Sequence, residues 1–417
     1  MEKTEKKTNP DLMIVCRAGF EPDLEAELVW RGGSLDQHPA PFPDHFSIQS
    51  GSGWMVFDGL SPGLQAATTR PFIFERQRLP HPQFVASGGG QAATITEFVE
   101  KSLETTTHPW ALHGFTPDPQ GEPGLTAGAE TLSRKILEAL RKSAPALADQ
   151  FSPADLPLPG QSRVVQICLL REGAWVSTAP LSALTNPAPG GVYRIPGDSL
   201  APSRSYLKLE EAFLVMGRQP ALRERVIDLG AAPGGWSYGC LKRGCHVLAV
   251  DNGPMKIKGL EDLPGLLEHR KANGLSFRPA AGWVPTDWLI SDMLVPPGET
   301  LGLLRRWLEG GWMRRFVVNI KLPQRHPLEA LKPVETFLAG WPGLRYRMVQ
   351  LYHDRREVTV TGELTTLPPA REATKKPREA GMKTHPRGAK SKKPTRRPPK
   401  QPGKKPVQPA ARRRKRR

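Results

Sequence analysis

Two rhythms of apolar positions divide the chain. From residue 11 to about 195, short apolar runs predict strands: Met13-Ile14-Val15-Cys16, Trp54-Met55-Val56-Phe57 and Val164-Val165-Gln166-Ile167-Cys168. Between them, residues repeat at helical spacing. Phe20, Leu24 and Leu28 share one face after Ala18-Gly19, and Leu132, Ile136, Leu137 and Leu140 share another. This mixture predicts α+β modules. Proline and glycine cluster at 80–92, 116–124 and 152–160, which predicts loops or module boundaries there. No side chains in this half have catalytic spacing, and His108 and His113 read as surface residues.

From about 200 to 362 the pattern becomes regular strand–helix alternation. Val226-Ile227-Asp228-Leu229 is an apolar run ending at Gly230, and a helix is predicted to start at Pro233 and run past Leu241. Strands follow at His246 to Asp251, Trp288 to Asp292, Phe316 to Lys321 and Glu357 to Val360, with helical stretches between. Such alternation predicts a doubly wound α/β sheet with a mostly parallel core.

Composition narrows the functional class. Of 417 residues, 38% are apolar, diluted by 44 prolines and 40 glycines. No window reaches the ~18 consecutive apolar residues that a membrane span needs. Met1 to Pro10 is charged and has no apolar core, so no secretory signal is read there. Cys16, Cys168, Cys240 and Cys245 lack metal-site spacing and read as reduced thiols of a cytoplasmic protein without a metal. The net charge of +18 changes the picture only through its location. Residues 366–417 hold 20 Lys/Arg against 2 Asp/Glu, leaving 39 of each sign elsewhere. The body is therefore electroneutral. The proline-rich tail, ending Arg412-Arg413-Arg414-Lys415-Arg416-Arg417, is expected to be disordered and to seek polyphosphate without sequence choice.

The turn Asp228-Leu229-Gly230-Ala231-Ala232-Pro233-Gly234-Gly235-Trp236 lies where the first strand of such a sheet meets its first helix. Small residues there admit a ligand close to the backbone, and the helix N-terminus presents free amides. Asp251 ends the next strand, 23 residues after Asp228, where a carboxylate can accept bonds from both hydroxyls of a ribose. The glycines fit neither the GxGxxG of dinucleotide folds nor the GxxxxGK loop of triphosphate sites. The spacing points to S-adenosylmethionine.

Ligand crevices of doubly wound sheets lie at the carboxyl ends of the strands. Asp292 ends one strand and Lys321 nearly ends the next. Glu357 begins a last strand and joins them at that edge if the strand runs antiparallel. Lys208, on a helix predicted from about Ser203 to Met216, projects to an apolar side between Ala212 and Val215 and needs a partner. Four such groups suit deprotonation of an alcohol. A lysine of ordinary pKa near 10.4 is charged at neutral pH. The second ammonium is expected to favour a neutral amine that can take the proton of a ribose 2′-hydroxyl. Asp292 and Glu357 would then orient the lysines. Competing methyl acceptors leave other marks. Exocyclic amines go with a Pro-Pro-aromatic motif after the fourth strand, but Met293-Leu294-Val295 follows Asp292 here. Cytosine C5 needs a nucleophilic cysteine near that strand, and none follows Cys245.

Five segments carry a family resemblance: Pro202 to Phe213, Asp228 to Trp236, Val250-Asp251-Asn252-Gly253-Pro254-Met255, Asn319-Ile320-Lys321-Leu322-Pro323, and Gln350 to Val360. Together they resemble the bacterial 23S rRNA 2′-O-ribose methyltransferase M family. The likeness is dense over 200–362 and thinner through Cys16 to Glu21 and around Arg70-Pro71-Phe72. It does not reach the tail. The resemblance implies a Lys-Asp-Lys-Glu tetrad at Lys208, Asp292, Lys321 and Glu357, with Lys321 as the proton acceptor. It implies a cofactor site of Ser205, Gly230, Ala232, Pro233, Gly234, Gly235, Asp251, Asn273 and Asp292. The family usually has cysteine at Ala232 and aspartate at Asn273. It also implies a ferredoxin-like module over 11–85, a THUMP RNA-binding domain over 90–195 and a Rossmann-like methyltransferase domain over 198–365, before the basic tail. The implied substrate is a cytidine of 23S rRNA or its precursor; the sequence leaves the oligomeric state open, with a monomer favoured, and no membrane partner is expected. Two other readings stay open: a 2′-O-methyltransferase acting on another RNA, and a non-catalytic ribosome assembly factor.

Overall fold

A computed structural model describes residues 10–32, 51–57, 62–153 and 158–366. The basic tail after 366 lies outside the described residues. Among those described, three sheets form.

The first sheet uses β1 (Leu12–Val15), β2 (Trp54–Phe57) and β3 (Gln77–Pro80), in the order β2-β1-β3 with both pairings antiparallel. Between them lie α1 (Glu21–Gly32) and α2 (Pro62–Ala67). The apolar stripe of α1 buries Leu24 and Leu28 completely, each worth about 1.5–3 kcal/mol against exposure.

The second sheet, ordered β4-β7-β6-β5, uses β4 (Gln83–Ala86), β5 (Trp110–Phe115), β6 (Arg163–Leu169) and β7 (Gly173–Pro180). Its helices are α3 (Gln91–Leu103), α4 (Pro123–Ser143) and the short α5 (Pro145–Ala148). Strand β4 falls inside a stretch expected to be loop. Its pairing with β7 outweighs the flanking turn residues. His113 overturns its surface reading, because it is fully buried. It shares a face of β5 with Phe115, and that face packs on Met13, Val15 and Trp54 of the first sheet. Burial, with no hydrogen-bond partner among the described residues, pushes its pKa down to about 4. His108 is exposed as expected.

The third sheet has the order β10-β9-β8-β11-β12-β14-β13. Helix α6 (Tyr206–Met216) precedes β8 (Arg225–Leu229), and α7 (Gly235–Leu241) leads to β9 (His246–Val250). Then come β10 (Leu266–Arg270), β11 (Thr286–Ser291), α8 (Pro297–Glu309) and β12 (Met313–Lys321). Last are α9 (Pro327–Ala339), β13 (Leu344–Val349) and β14 (Glu357–Leu364). Strands β10, β9, β8, β11 and β12 run parallel, and β14 is antiparallel to both its neighbours. This is a doubly wound, Rossmann-type sheet with a mostly parallel core. The chain turns from β8 toward β9 and later resumes at β11 on the other side of β8. A ligand crevice is thereby opened outside the carboxyl ends of β8 and β11.

The first sheet is welded to this third unit. Leu12, Ile14 and Phe72 belong to one continuous core with Leu303, Phe316 and Met348, and Gln350 donates its backbone N–H to Ile73 O at 2.8 Å. No helix among the described residues is long and apolar enough to cross a membrane.

Candidate active site

The turn after β8 is shaped by glycine where side chains could not fit. Gly230 has φ 76°, and a Cβ there would lie 2.3 Å from Met293 Cγ. A Cβ on Gly235 would meet the Ser203 and Ser205 hydroxyls at 2.4 and 2.8 Å. The helix begins at Gly235, not at Pro233. Gly234, at φ 113°, is its left-handed N-cap, so Ala231 to Pro233 form the loop that faces the crevice.

That loop separates two adjoining cavities. One, of about 410 Å³, is lined by Gly230, Ala232, Asp251, Asn273, Asp292 and Met293 among others. The other, of about 260 Å³, is lined by Ser203, Ser205, Gly230, Pro233, Gly235 and Asp292 among others. Together they are within the size range, about 300–1,000 Å³, of small-molecule sites. Eight of the nine residues expected at the cofactor line them, and Gly234 stands behind, against Ile257. Asp251 Oδ2 accepts from Ala232 N at 3.2 Å and Oδ1 from Gly253 N at 2.6 Å. Each oxygen keeps a further lone pair for a ribose hydroxyl. Asn273 Oδ1 accepts from Leu275 N at 2.8 Å, so its amide nitrogen is the group left for a ligand. Beneath the turn, Asp228 is buried and its carboxyl is pushed up to about 7 by loss of solvent, although Ser237 Oγ donates to it at 2.7 Å. Trp236 Nε1 donates to Ser205 O at 2.9 Å and fixes the serine segment.

At the far end of the crevice the four dispersed residues meet. Strand β14 is antiparallel to β12, and their register sets Glu357 directly opposite Lys321. Asp292 follows β11, and α6 delivers Lys208. Lys208 Nζ donates to Glu357 Oε2 at 2.5 Å and lies 3.4 Å from Asp292 Oδ2. Lys321 Nζ donates to Glu357 Oε2 at 2.9 Å and closely to Asp292 Oδ1. All four side chains are only 13–17% exposed. Asp292 also borders both cavities, so the cluster and the crevice share a wall.

The electrostatics correct one expectation. The lysines do not face each other bare, because two carboxylates stand between them. Burial alone would lower the pKa of Lys208, yet the charges of Asp292 and Glu357 outweigh it and the net shift is upward. Glu357 answers in the opposite sense. Its burial would raise it, but the bonds and charges of Lys208 and Lys321 hold it below the ordinary carboxylate range.

Several members of the site escaped sequence reasoning. Asn319 is 1% exposed, and its Nδ2 lies 3.1 Å from Asp292 Oδ1 and 3.0 Å from Glu357 Oε2. Its position two residues before Lys321, on the same face of the strand, was the available signal. Thr359 carried the same signal, two residues after Glu357 on one face of β14, whereas Ser203 and Asp354 had none comparable.

A family model described as FtsJ-like methyltransferase matches residues 201–300. A ribosomal RNA large subunit methyltransferase M of Marinomonas sp. (strain MWYL1) is 31% identical over 371 residues, spanning 84% of this chain and 98% of the relative. The protein of the same name from Xanthomonas oryzae pv. oryzae (strain PXO99A) is 33% identical over 364 residues, spanning 84% and 98%. That of Halorhodospira halophila (strain DSM 244 / SL1) is 32% identical over 362 residues, spanning 84% and 95%.

Proposed function

Because the chain belongs to the ribosomal RNA large subunit methyltransferase M family, we propose that it methylates the ribose 2′-hydroxyl of a cytidine in 23S rRNA, with Lys321 as general base. The chain is an S-adenosylmethionine-dependent rRNA methyltransferase with a Rossmann-type catalytic fold. The single observation that carries the 2′-hydroxyl reading is the convergence of Lys208, Asp292, Lys321 and Glu357 beside the crevice.

When bound, S-adenosylmethionine supplies an electrophilic methyl group on a sulfonium. Ser205, Gly230, Ala232, Pro233, Gly234, Gly235, Asp251, Asn273 and Asp292 would hold it, with Asp251 taking the ribose hydroxyls. Lys321, once neutral, takes the proton of the attacking hydroxyl at Nζ. Lys208 neutralises Glu357, and Asp292 with Glu357 keeps the Lys321 amine aimed at the oxygen. Proton transfer of this kind is worth roughly 10²–10⁴ in rate. Alignment of the reacting atoms at about 3–3.5 Å supplies much of the remainder.

Residues 11–85 and 90–195 would serve as ferredoxin-like and THUMP-type modules that hold rRNA or its precursor for a monomeric, cytoplasmic enzyme acting without a metal. The test is ribose-methylation mapping of rRNA from a strain lacking the gene. One cytidine in 23S rRNA should lose its 2′-O-methyl, wild-type protein should restore it, and Lys321→Ala should not. Loss of a base methyl instead, with all ribose methyls intact, would sink the 2′-hydroxyl reading.

A further inference from the structure

Below the four charged residues lies a chain of buried polar groups whose protons can be counted. Asp292 and Glu357 accept bonds from lysines, so the Asn319 atom facing both must be its NH₂. Its carbonyl Oδ1 then points the other way, 2.7 Å from Thr359 Oγ1. A carbonyl only accepts, so the one hydroxyl proton of Thr359 is committed to Asn319. Yet Thr359 Oγ1 also lies 3.0 Å from Asp354 Oδ2. That second contact has no proton left from threonine. The carboxyl group must supply it.

We propose that Asp354 is a neutral carboxylic acid and, through Thr359 and Asn319, a positioning residue for Asp292 and Glu357. The relay runs from the acid O–H to Thr359 Oγ1, from the threonine O–H to Asn319 Oδ1, and from the Asn319 amide to both carboxylates. It rests on the reading that the tetrad performs methyl transfer.

The surroundings of Asp354 favour the neutral form. The residue is fully buried, and its Oδ1 has no partner among the described residues. Oδ2 accepts from Leu351 N at 3.0 Å, a bond that a protonated carboxyl retains. The charged groups facing it are Glu357 on β14 and Glu211 and Lys208 on α6, so negative charge predominates. Arg17 donates to the Asp354 backbone carbonyl at 2.7 Å, and the carboxyl receives nothing from it. Loss of solvent, then the Glu357 charge, push the carboxyl up to about 8. Ionisation would place two lone pairs in opposition at the Thr359 contact, or turn the threonine proton away and leave Asn319 Oδ1 unpaired. Either outcome loosens the amide that spaces the two carboxylates. The loop that holds Asp354 has little freedom to escape, because Glu211 accepts from Tyr352 N, His353 N and His353 Nδ1 at 2.7–3.0 Å.

The sign of the pH effect follows. The base needs a deprotonated lysine, so the rate rises with pH. The relay needs a protonated Asp354, so above pH 8 the rise should break toward a plateau. Two measurements on the full-length protein test this. Isotope-edited infrared spectroscopy, without cofactor or RNA, should find in the difference between wild type and Asp354→Asn a carboxylic-acid C=O band at pH 7 that fades above about pH 8, the contribution of Asp228 cancelling because it is common to both proteins. Single-turnover methylation at saturating cofactor and RNA should show the break in wild type, and a continued climb in Asp354→Asn. Thr359→Val should slow the reaction about tenfold with cofactor affinity unchanged and Tm lowered, and Thr359→Ser should recover most of the rate. Absence of the acid band, or a break that persists in Asp354→Asn, overturns the proposal. Activity in Lys321→Arg would instead overturn the general-base reading and leave the infrared result standing.

Discussion

The two ends of the crevice are built on different principles. The cofactor end is made of backbone: a contiguous turn, three glycines that exclude side chains, and a carboxylate already anchored by two amides. The end proposed for the reaction is made of side chains from four segments spread over 149 residues, held by ion pairs and by the Asn319 amide beneath them. Backbone preorganisation tolerates change in single side chains. A side-chain cluster has no such reserve. The cofactor end should therefore lose affinity in moderate steps, whereas the reacting end should lose rate abruptly.

The sharpest test is Lys321→Ala, which should cut single-turnover methylation by about 10²–10⁴-fold while cofactor and RNA binding stay nearly unchanged. Lys321→Arg should fail equally, because guanidinium keeps its proton. Retained activity in the arginine variant would reduce Lys321 to an electrostatic role. Next in size is Asp251→Ala. It should weaken S-adenosylmethionine binding by about 1.5–3 kcal/mol per charged hydrogen bond lost. Calorimetry that finds unchanged affinity removes Asp251 from the site, and a fall in rate at saturating cofactor blurs the contrast between the two ends.

Lys208→Ala should have a smaller effect of a different kind. Two carboxylates would then share a single ammonium and hold its proton more tightly, so the pH–rate profile should move to higher pH. A uniform loss of rate with no shift would show that Lys208 acts by position only. The smallest effect should come from truncation after Leu367. Fold and choice of nucleotide should persist while RNA affinity falls and its salt dependence flattens. An unchanged salt slope in a binding titration rules out the tail as an RNA contact.

The N-terminal half shows where reading by pattern stops. The stripes of α1 and α4 were visible, since Leu24, Leu28, Leu132, Ile136 and Leu140 recur at helical spacing and are all buried. His113 was not. Its burial depends on a neighbouring sheet built from three strands well earlier in the chain, the first of them Leu12–Val15, and nothing local to Trp110–Phe115 encodes that neighbour. Strand β10 (Leu266–Arg270), largely exposed at the sheet edge, likewise lacks the apolar run that marks its neighbours.

By itself the sequence determined the strand–helix alternation, the small-residue turn followed by Asp251, and the identity of the four charged residues that meet. Periodicity, glycine placement and contiguous spacing are local properties. Only the tertiary structure decided that β14 runs antiparallel and sets Glu357 opposite Lys321, that α7 starts at Gly235, and that two carboxylates separate the lysines. It alone placed Asn319, Thr359 and Asp354 in line beneath them. The reason is physical: a pKa or a hydrogen-bond direction belongs to a group's neighbours in space, and those neighbours are fixed when the sheet assembles.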